Sequence, residues 1–326
     1  MRAFSYVRAA SPAEAVSQYR PGAAYLGGGT NLVDLMRLGV AAPDHIVDVT
    51  RATGDSIAES SDGALRIGAG VRNSDLANHP AVRERYPMLA RAVLTGASGQ
   101  IRNMATVGGN LLQRTRCPYF QDVAMPCNKR TPGSGCQATE PGAETGNMAI
   151  LGHSPSCVAT HPSDMAVALT ALSARVLAVG PDGDRWVEMP GLHRLPGGRP
   201  DLDTVLTPGE LITAIELPSP PPGRSTYRKV RERASFAFAL VSLAAALDVG
   251  GDGRVRECRL ALGGVAHAPW RAHAAEQALL GLPATRETFA MAAGEELRVA
   301  RPLPGTGYKV TLARNVIVSV LEELSR

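Results

Sequence analysis

Long apolar runs and blocks of like charge are both missing from this sequence. No window approaches about 18 consecutive apolar residues, the length that a membrane-spanning helix needs, so we expect no membrane span. The net charge is only +4 and the charges are scattered, which argues against nucleic acid as a partner. Residues 1–30 lack an apolar core behind a charged start, so we expect a soluble protein without a signal peptide of its own.

Cysteine is scarce and unevenly placed. The chain has 5 cysteines in 326 residues, and four of them lie close together in sequence: Cys117, Cys127, Cys136 and Cys157. In a chain of this length without a secretion signal, clustered cysteines favour a metal over disulfides. The fifth, Cys258, lies in an apolar strand pattern and is predicted to be an inert buried thiol.

The length suits two or three domains, and alternating strand and helix patterns predict an α+β fold. Residues 218–222 hold four prolines, which interrupt helices and central strands and therefore mark the clearest boundary. We divide the chain into residues 1–57, residues 58–220 and a smaller α+β unit at 224–326. Within the last unit, the apolar run at residues 236–249 predicts a buried strand.

A glycine turn follows the first apolar strand of the chain. Ala23–Leu26 predicts a strand, Gly27-Gly28-Gly29-Thr30-Asn31 a turn, and the next residues have helical spacing. Backbone N–H groups in such a turn form an anion-binding nest. The turn matches neither the dinucleotide-binding glycine pattern nor a Walker A loop. A tight reversal with no ligand is the alternative reading.

A second glycine turn is predicted over residues 101–112, and it includes Thr106, Gly108, Gly109 and Asn110. A Pro- and Gly-rich excursion follows, and an apolar helical run begins at Asp164. Taken alone, Asp164 would be a helix N-cap, and Lys229, on a basic strand at 227–233, would belong to a solvated face.

The four clustered cysteines follow the spacing C-x9-C-x8-C-x20-C, which fits neither zinc-finger nor ferredoxin templates. A structureless loop of this length needs something to hold it together, and a metal would do so. Nearby cations favour an iron–sulfur cluster over zinc: Arg114, Arg116, Lys129 and Arg130. Two disulfides, or four free thiols on a disordered insertion, are the alternatives. His153 and His161 are weaker ligand candidates.

Several motifs together resemble the FAD-binding medium subunits of the molybdenum hydroxylases, the xanthine dehydrogenase and carbon monoxide dehydrogenase group. The motifs are Leu26-Gly27-Gly28-Gly29-Thr30-Asn31-Leu32, Ile101-Arg102-Asn103, Thr106-Val107-Gly108-Gly109-Asn110-Leu111, Pro162-Ser163-Asp164 and Glu210–Pro218. About fifty residues separate the second turn from Ser163, unlike most of the group. This insertion is similar to that of the periplasmic aldehyde oxidoreductase branch, whose flavin subunit carries an extra [4Fe-4S] cluster; benzoyl-CoA-type reductases also have a cluster here.

The resemblance implies a two-part FAD-binding domain of the PCMH-like type, with an iron–sulfur insertion at 114–160, followed by the C-terminal flavoprotein domain. It implies FAD and a [4Fe-4S] cluster as cofactors, the cluster being held by the four clustered cysteines. By position, the FAD-binding residues would be Leu26, Gly27, Gly28, Gly29, Thr30, Asn31, Leu32, Val33, Thr106, Gly108, Gly109, Asn110, Asp164 and Lys229. Lys229 would lie near the isoalloxazine and stabilise reduced flavin.

The resemblance also implies partner chains, because nothing here resembles a molybdopterin site. A molybdopterin-binding large subunit would oxidise the substrate, and a [2Fe-2S] small subunit would pass electrons through this FAD to an external acceptor. Export to the periplasm would then depend on a partner's twin-Arg signal; otherwise the complex would be cytoplasmic. Two rivals remain: a zinc-stabilised flavoprotein oxidase acting alone, and a non-catalytic assembly subunit.

Overall fold

The computed structural model describes residues 1–61 and 63–326. The strands of the described chain are β1 (Ser5–Arg8), β2 (Ala23–Leu26), β3 (His45–Asp48), β4 (Ile57–Glu59), β5 (Leu65–Gly68), β6 (Arg175–Gly180), β7 (Gly183–Glu188), β8 (Leu211–Leu217), β9 (Arg224–Val230), β10 (Val241–Val249), β11 (Val255–Gly263) and β12 (Trp270–Arg271). Its α-helices are α1 (Pro12–Gln18), α2 (Leu32–Arg37), α3 (Asn73–Asn78), α4 (Pro80–Arg85), α5 (Pro87–Thr95), α6 (Gly99–Met104), α7 (Val107–Leu111), α8 (Pro118–Gln121), α9 (Asp164–Ala171), α10 (Met189–Leu192), α11 (His273–Leu279), α12 (Arg286–Leu297) and α13 (Gly307–Leu324).

The first sheet is parallel, in the order β1-β3-β2, and Val47 of β3 pairs with Val7 on one side and Tyr25 on the other. All four residues of β3 are buried, as expected for the central strand of a covered parallel sheet. Helix α1 begins after Ser11, whose hydroxyl accepts a hydrogen bond from the Glu14 backbone N–H. The predicted small βαβ-like unit is therefore present.

The second sheet has five antiparallel strands in the order β4-β5-β8-β6-β7. Helices α3, α4, α5 and α9 contribute to the core beside it, and every residue of α9 is buried. The third sheet is also antiparallel, in the order β12-β11-β10-β9. Helices α11, α12 and α13 pack on one of its faces, so the predicted α+β class is confirmed.

Strand β10 joins the second and third units through its two faces. Leu243 and Leu247 belong to the C-terminal core, whereas Ala244 and Ala246 belong to the core of the second unit. Successive side chains of a strand point to opposite faces, so a strand covered on both sides reads as an unbroken apolar run. That is why residues 241–249 carry so little polarity.

The insertion at 114–160 has little regular structure, as predicted: α8 and a 3₁₀ turn at Gln137–Thr139. It is nevertheless well packed. Phe120 is fully buried with Leu35 of α2, and Met148 and Val158 form a second small cluster. The guanidinium of Arg130 donates to the backbone carbonyls of Phe120 (2.7 Å) and Tyr119 (3.0 Å). A disordered insertion is therefore ruled out by the packing.

Two sequence predictions of local structure were wrong. Residues 101–104 are the end of helix α6 rather than part of a glycine turn, because Ser98 caps that helix by accepting from the Ile101 N–H. Residues 236–240 are not strand. Phe236 has a φ of +50°, which breaks the extended backbone before β10 begins. Within the described residues, no helix is long and apolar enough to cross a membrane.

A buried lysine ties the insertion to the C-terminal unit. Lys309 of α13 is fully buried, and its ammonium donates to the carbonyl of Gly264 (2.9 Å), after β11, and to that of Met148 (3.0 Å) in the insertion. Burial lowers the pKa of Lys309 to about 8.

We expect the Lys309 ammonium to make the free energy of unfolding depend on pH in the alkaline range. The folded pKa lies below the unfolded value of 10.5, so the unfolded chain binds more protons between these values and stability rises with pH there. The free energy of unfolding of the native chain, minus that of Lys309→Met, should rise by up to about 1.4 kcal/mol per pH unit from pH 8 to 10. Denaturant titrations at several pH values measure it. A flat difference across that range would contradict the assignment.

Candidate flavin site and the thiol-lined cavity

A cavity of about 570 Å³ lies where the two glycine turns, the insertion and the segment before β10 meet. Its volume and its mixed polar and apolar walls suit a large organic ligand. Six of the fourteen residues predicted to bind the flavin line it: Thr30, Asn31, Gly109, Asn110, Asp164 and Lys229. The other eight, all described, are not among its lining residues: Leu26, Gly27, Gly28, Gly29, Leu32, Val33, Thr106 and Gly108.

The two glycine turns pack directly against each other. A Cβ on Gly28 would lie 2.0 Å from the carbonyl oxygen of Met104, and one on Gly27 would lie 2.7 Å from the Thr106 hydroxyl. No side chain fits at either position without moving backbone or a capping residue. These two glycines are therefore explained by close approach of one turn to the other, which brings both turns to one cavity.

The first turn leaves a row of backbone donors free. Among the described residues, no acceptor pairs with the N–H groups of residues 27–32. Gly29 has a φ of +76°, a backbone conformation that residues other than glycine rarely adopt. Asn31 accepts a hydrogen bond from the Arg114 N–H (3.0 Å), while its side-chain nitrogen is buried without a partner. Unpaired donors in such numbers suit an anionic ligand.

Some residues of the second turn hold its own structure together, whereas others face the cavity. The Thr106 hydroxyl caps α7 by accepting from the Gly109 N–H (3.2 Å), and the Gly108 N–H donates to the Ala69 carbonyl (2.9 Å). A Cβ on Gly108 would lie 3.1 Å from the Ala69 Cβ, a tight contact. Thr106 thus caps the turn and Gly108 fastens it to Ala69, just after β5, while Gly109 and Asn110 face the cavity.

Asp164 and Lys229 form a buried ion pair in the cavity wall. The ammonium of Lys229 lies 2.8 Å from Asp164 Oδ2, and the two side chains are 2% and 7% exposed. The Tyr227 hydroxyl donates to Asp164 Oδ1 (2.6 Å), and Lys229 also donates to the Thr95 carbonyl (3.2 Å). An ammonium has three donors, so one remains for a ligand. Burial, together with the negative charge of Asp164, raises the pKa of Tyr227 and keeps its proton in place.

Two readings of these residues taken alone were wrong. Lys229 is not on a solvated face, because β9 is covered by α5. Asp164 is not the N-cap of α9: Ser163 is, and its hydroxyl accepts from the Ala166 N–H (3.0 Å). Tyr227 was missed, although strand alternation places it on the same face as Lys229.

The four clustered cysteines line one small cavity, together with Phe120, Lys129 and Ser156 among others. All are free thiols, so the structure does not contain the disulfides considered above. Cys127 and Cys136 face each other across an isolated antiparallel bridge. Burial raises the pKa of Cys117 to about 12 and that of Cys157 to about 11. Unless a metal binds them, these two thiols keep their protons at neutral pH.

The described residues show no preformed site for a metal ion. Within the described residues, no group of three or more His, Cys, Asp or Glu side chains is placed to hold one ion. Four thiolates on one zinc would have to lie about 3.8 Å apart, from a Zn–S bond of about 2.3 Å. His153 and His161 do not border this cavity. His153 hydrogen-bonds to the Arg301 carbonyl through Nε2 (2.7 Å), and His161 contacts His193 with ring centroids 4.3 Å apart and planes tilted by 57°. Burial lowers the pKa of His161 well below its usual range.

Two of the cations near the cysteines, Lys129 and Arg114, share one carboxylate partner, Asp203. Lys129 borders the thiol-lined cavity, is buried, and donates to Asp203 and to the Pro200 carbonyl (2.8 Å). Arg114 pairs with the same carboxylate (2.7 Å). Burial works to raise the pKa of Asp203, but Lys129 and Arg114 outweigh it and lower the pKa. Asp203 was missed because it lies 74 residues beyond Lys129, with no local motif to mark it.

Comparisons with known proteins agree with this geometry. Residues 2–220 match the family described as the FAD binding domain in molybdopterin dehydrogenase, and residues 225–324 match the CO dehydrogenase flavoprotein C-terminal domain. The chain belongs to this family of FAD-binding subunits. The expected fold and its oxidoreductase family are therefore confirmed.

Two relatives and one solved structure show which proteins this chain is similar to. The aldehyde oxidoreductase FAD-binding subunit PaoB of Escherichia coli is 50% identical over 99% of this chain and 98% of its own length. The glyceraldehyde dehydrogenase medium chain of Sulfolobus acidocaldarius is 30% identical over 85% of this chain and 81% of its own. A chain in the carbon monoxide dehydrogenase structure from Hydrogenophaga pseudoflava matches with a TM-score of 0.75 and 26% identity, covering 99% of this chain and 97% of that one.

We expect Gly28→Ala to disrupt the packing of the two turns. The added Cβ must displace the Met104 carbonyl, which should cost about 1–3 kcal/mol of stability and weaken FAD retention. Gly99→Ala is the matched control, because a Cβ there meets nothing within 4 Å. Thermal unfolding and flavin content of the purified chains measure both effects. Equal behaviour of the two variants would contradict the packing argument.

We expect Asp164→Asn to destabilise the chain by about 3–5 kcal/mol, because it leaves the buried Lys229 ammonium without its counter-charge. Glu323→Gln is the control: it breaks the Arg228 pair on the neighbouring strand position, where both side chains are about half exposed, and should cost about 1 kcal/mol or less. Denaturant unfolding compares them. The double change Asp164→Leu with Lys229→Met should recover most of the loss, and failure to do so would argue against unpaired charge as the cause.

Proposed function

We propose that this chain is the FAD- and [4Fe-4S]-binding electron-transfer subunit of a heterotrimeric molybdenum-dependent aldehyde oxidoreductase. The observation that carries the proposal is the arrangement of the two cavities. A large cavity bordered by both turns and by the Asp164–Lys229 pair adjoins a second one lined by four thiols, and Cys117 borders both. The 50% identity to an aldehyde oxidoreductase subunit supports the substrate class.

In the flavin site, the chain's own groups have distinct tasks. The free N–H groups of residues 27–32 would bind the diphosphate. Gly109 and Asn110 would contact phosphate, ribose or ring from the second turn. The remaining donor of Lys229 would face the ring system, where a fixed cation favours added negative charge. Asp164 holds that ammonium in position. FAD itself supplies the acceptance and release of electrons.

We assign an iron–sulfur cluster to the thiol-lined cavity because four cysteines border it. In a cubane cluster each thiolate binds a different iron, so the sulfurs lie farther apart than around one zinc. Cys117, Cys127, Cys136 and Cys157 border the same small space, and Lys129 provides a buried positive charge beside it. The coordinated thiolates would replace the neutral thiols that burial otherwise favours. The cluster also explains how so irregular an insertion is held.

The chain contains no site for the organic substrate in this proposal. Aldehyde oxidation would take place at a molybdopterin cofactor in a separate large subunit. Electrons would reach this FAD from [2Fe-2S] centres in a small subunit and leave to an external acceptor. Support comes from the names of relatives as "medium chain" and "FAD-binding subunit", which describe components of larger assemblies.

Metal and flavin content test the proposal. We expect the purified native chain to contain iron, acid-labile sulfide and FAD. Its absorption spectrum should show flavin bands with a broad shoulder at about 400 nm. Cys127→Ser should lose iron and sulfide, because it removes one cluster ligand. Cys258→Ser should retain both, because Cys258 is a buried thiol of β11 outside the thiol-lined cavity.

Other outcomes would identify the rivals. Zinc in place of iron, with flavin present, would support a zinc-stabilised flavoprotein. A colourless chain that binds no FAD would support an assembly subunit. Iron that persists at the native level in Cys127→Ser would contradict the ligand assignment.

A further inference from the structure

The start of the insertion runs along the wall of the flavin cavity. The backbone N–H of Arg114 donates to Asn31 of the first glycine turn (3.0 Å), which fixes the chain beside that turn. Two residues later, Arg116 lines the flavin cavity, together with Asp34 of α2. The insertion therefore contributes side chains to the large cavity as well as to the thiol-lined one.

Arg116 differs from the other cations in this wall. Arg102 donates to the Gly96 carbonyl (2.7 Å), Lys229 pairs with Asp164, and Arg233 donates to the Phe236 carbonyl (2.6 Å). The guanidinium of Arg116, in contrast, makes no hydrogen bond or ion pair with any described residue, and its Nε is buried without a partner. Its nearest defined contact is the ring of Phe238, 5.2 Å from Cζ to the ring centroid.

The protein alone compensates this charge poorly. Among the described residues, no carboxylate pairs with the Arg116 guanidinium, and Nε is buried without a partner. A stacked ring contributes modestly to the stability of a buried cation. Arg116 also borders a separate cavity of about 30 Å³, which has room for water. Water can accept a hydrogen bond from Nε, but it cannot neutralise the charge.

An anion in the large cavity would complete the site. The first turn offers unpaired N–H groups on the same wall, and a diphosphate bound there would bring negative charge toward the segment that carries Arg116. Guanidinium groups bind phosphate oxygens through paired N–H donors. The ring of Phe238 would hold the guanidinium plane while its edge faces the ligand.

We propose that Arg116 is a diphosphate-binding residue for FAD, supplied by the cysteine-bearing insertion and held in place by Phe238. This inference rests on the proposed flavin site. It assigns the insertion a second task, because the residue next to the first cysteine then binds the flavin nucleotide directly. Specificity for FAD over flavins without phosphate would come in part from this side chain.

Flavin titrations of the deflavinated full-length chain test the inference. We expect Arg116→Gln to weaken FAD binding by about ten- to hundredfold, the size of one lost charge-assisted contact, and to leave riboflavin binding unchanged. Arg116→Lys should fall between, since it keeps the charge but not the fork. Arg233→Gln removes an equal charge from the same wall and should change FAD binding less than threefold.

Each alternative has its own result. Equal weakening of FAD and riboflavin by Arg116→Gln would make Arg116 a general packing residue and overturn the inference. An equal loss in Arg233→Gln would assign the effect to diffuse charge. Loss of iron with FAD affinity retained in Arg116→Gln would show that the guanidinium serves the thiol-lined cavity. Failure of the native chain to bind FAD would overturn the proposed function itself, before any variant is compared.

Discussion

The close approach of the two glycine turns is the constraint on which the site depends. Gly28 lies against the Met104 carbonyl with no space for a Cβ, so the backbone of one turn rests on the backbone of the other. Each turn is fixed from behind as well: β2 leads into the first, and Gly108 of the second is bonded to the end of β5. The parallel and antiparallel sheets thereby present their turns to one cavity. A side chain at either contact would separate the two turns, which explains why glycine is needed at Gly27 and Gly28.

Lysine has a restricted role in this chain. Its three lysines are Lys129, Lys229 and Lys309, and all three side chains are buried. Each ammonium joins segments that are distant in sequence, through carbonyls, carboxylates or both. A compact ammonium with three donors suits such contacts, whereas the many arginines occupy mainly the surface. The three lysines fasten the insertion to the 200–203 segment, β9 to helices α5 and α9, and α13 to the insertion.

Local patterns predicted much of the fold. Strand β2 was predicted with the observed bounds, Ala23–Leu26, because it is a short apolar run before a glycine turn, and the helical run predicted to begin at Asp164 is α9. Residues 236–240 were misassigned to a strand, since apolar composition does not reveal that Phe236 adopts a positive φ. Helix α6 was missed because its six residues, Gly-Gln-Ile-Arg-Asn-Met, are too few to show helical periodicity.

The candidate site was predictable only where a motif is continuous in sequence. Both turns and the four cysteines fell in such stretches, and sequence alone suggested what they bind. The charged partners that determine the electrostatics of the site do not lie in continuous sequence motifs. Asp203 acts on Lys129 from 74 residues away, and the buried state of Lys229 depends on α5, which is remote in the chain. Spacing cannot show which of four neighbouring cations already has a partner.

The relation between the two cavities follows from where the insertion enters the fold. It leaves the second glycine turn, passes the first turn at Asn31, and only then reaches Cys117. A chain segment on this course borders the large cavity before it reaches the thiol-lined cavity. Cys117 accordingly belongs to both walls. A change that moves the thiol-bearing loop therefore also moves a wall of the large cavity, because the two cavities share backbone at Cys117.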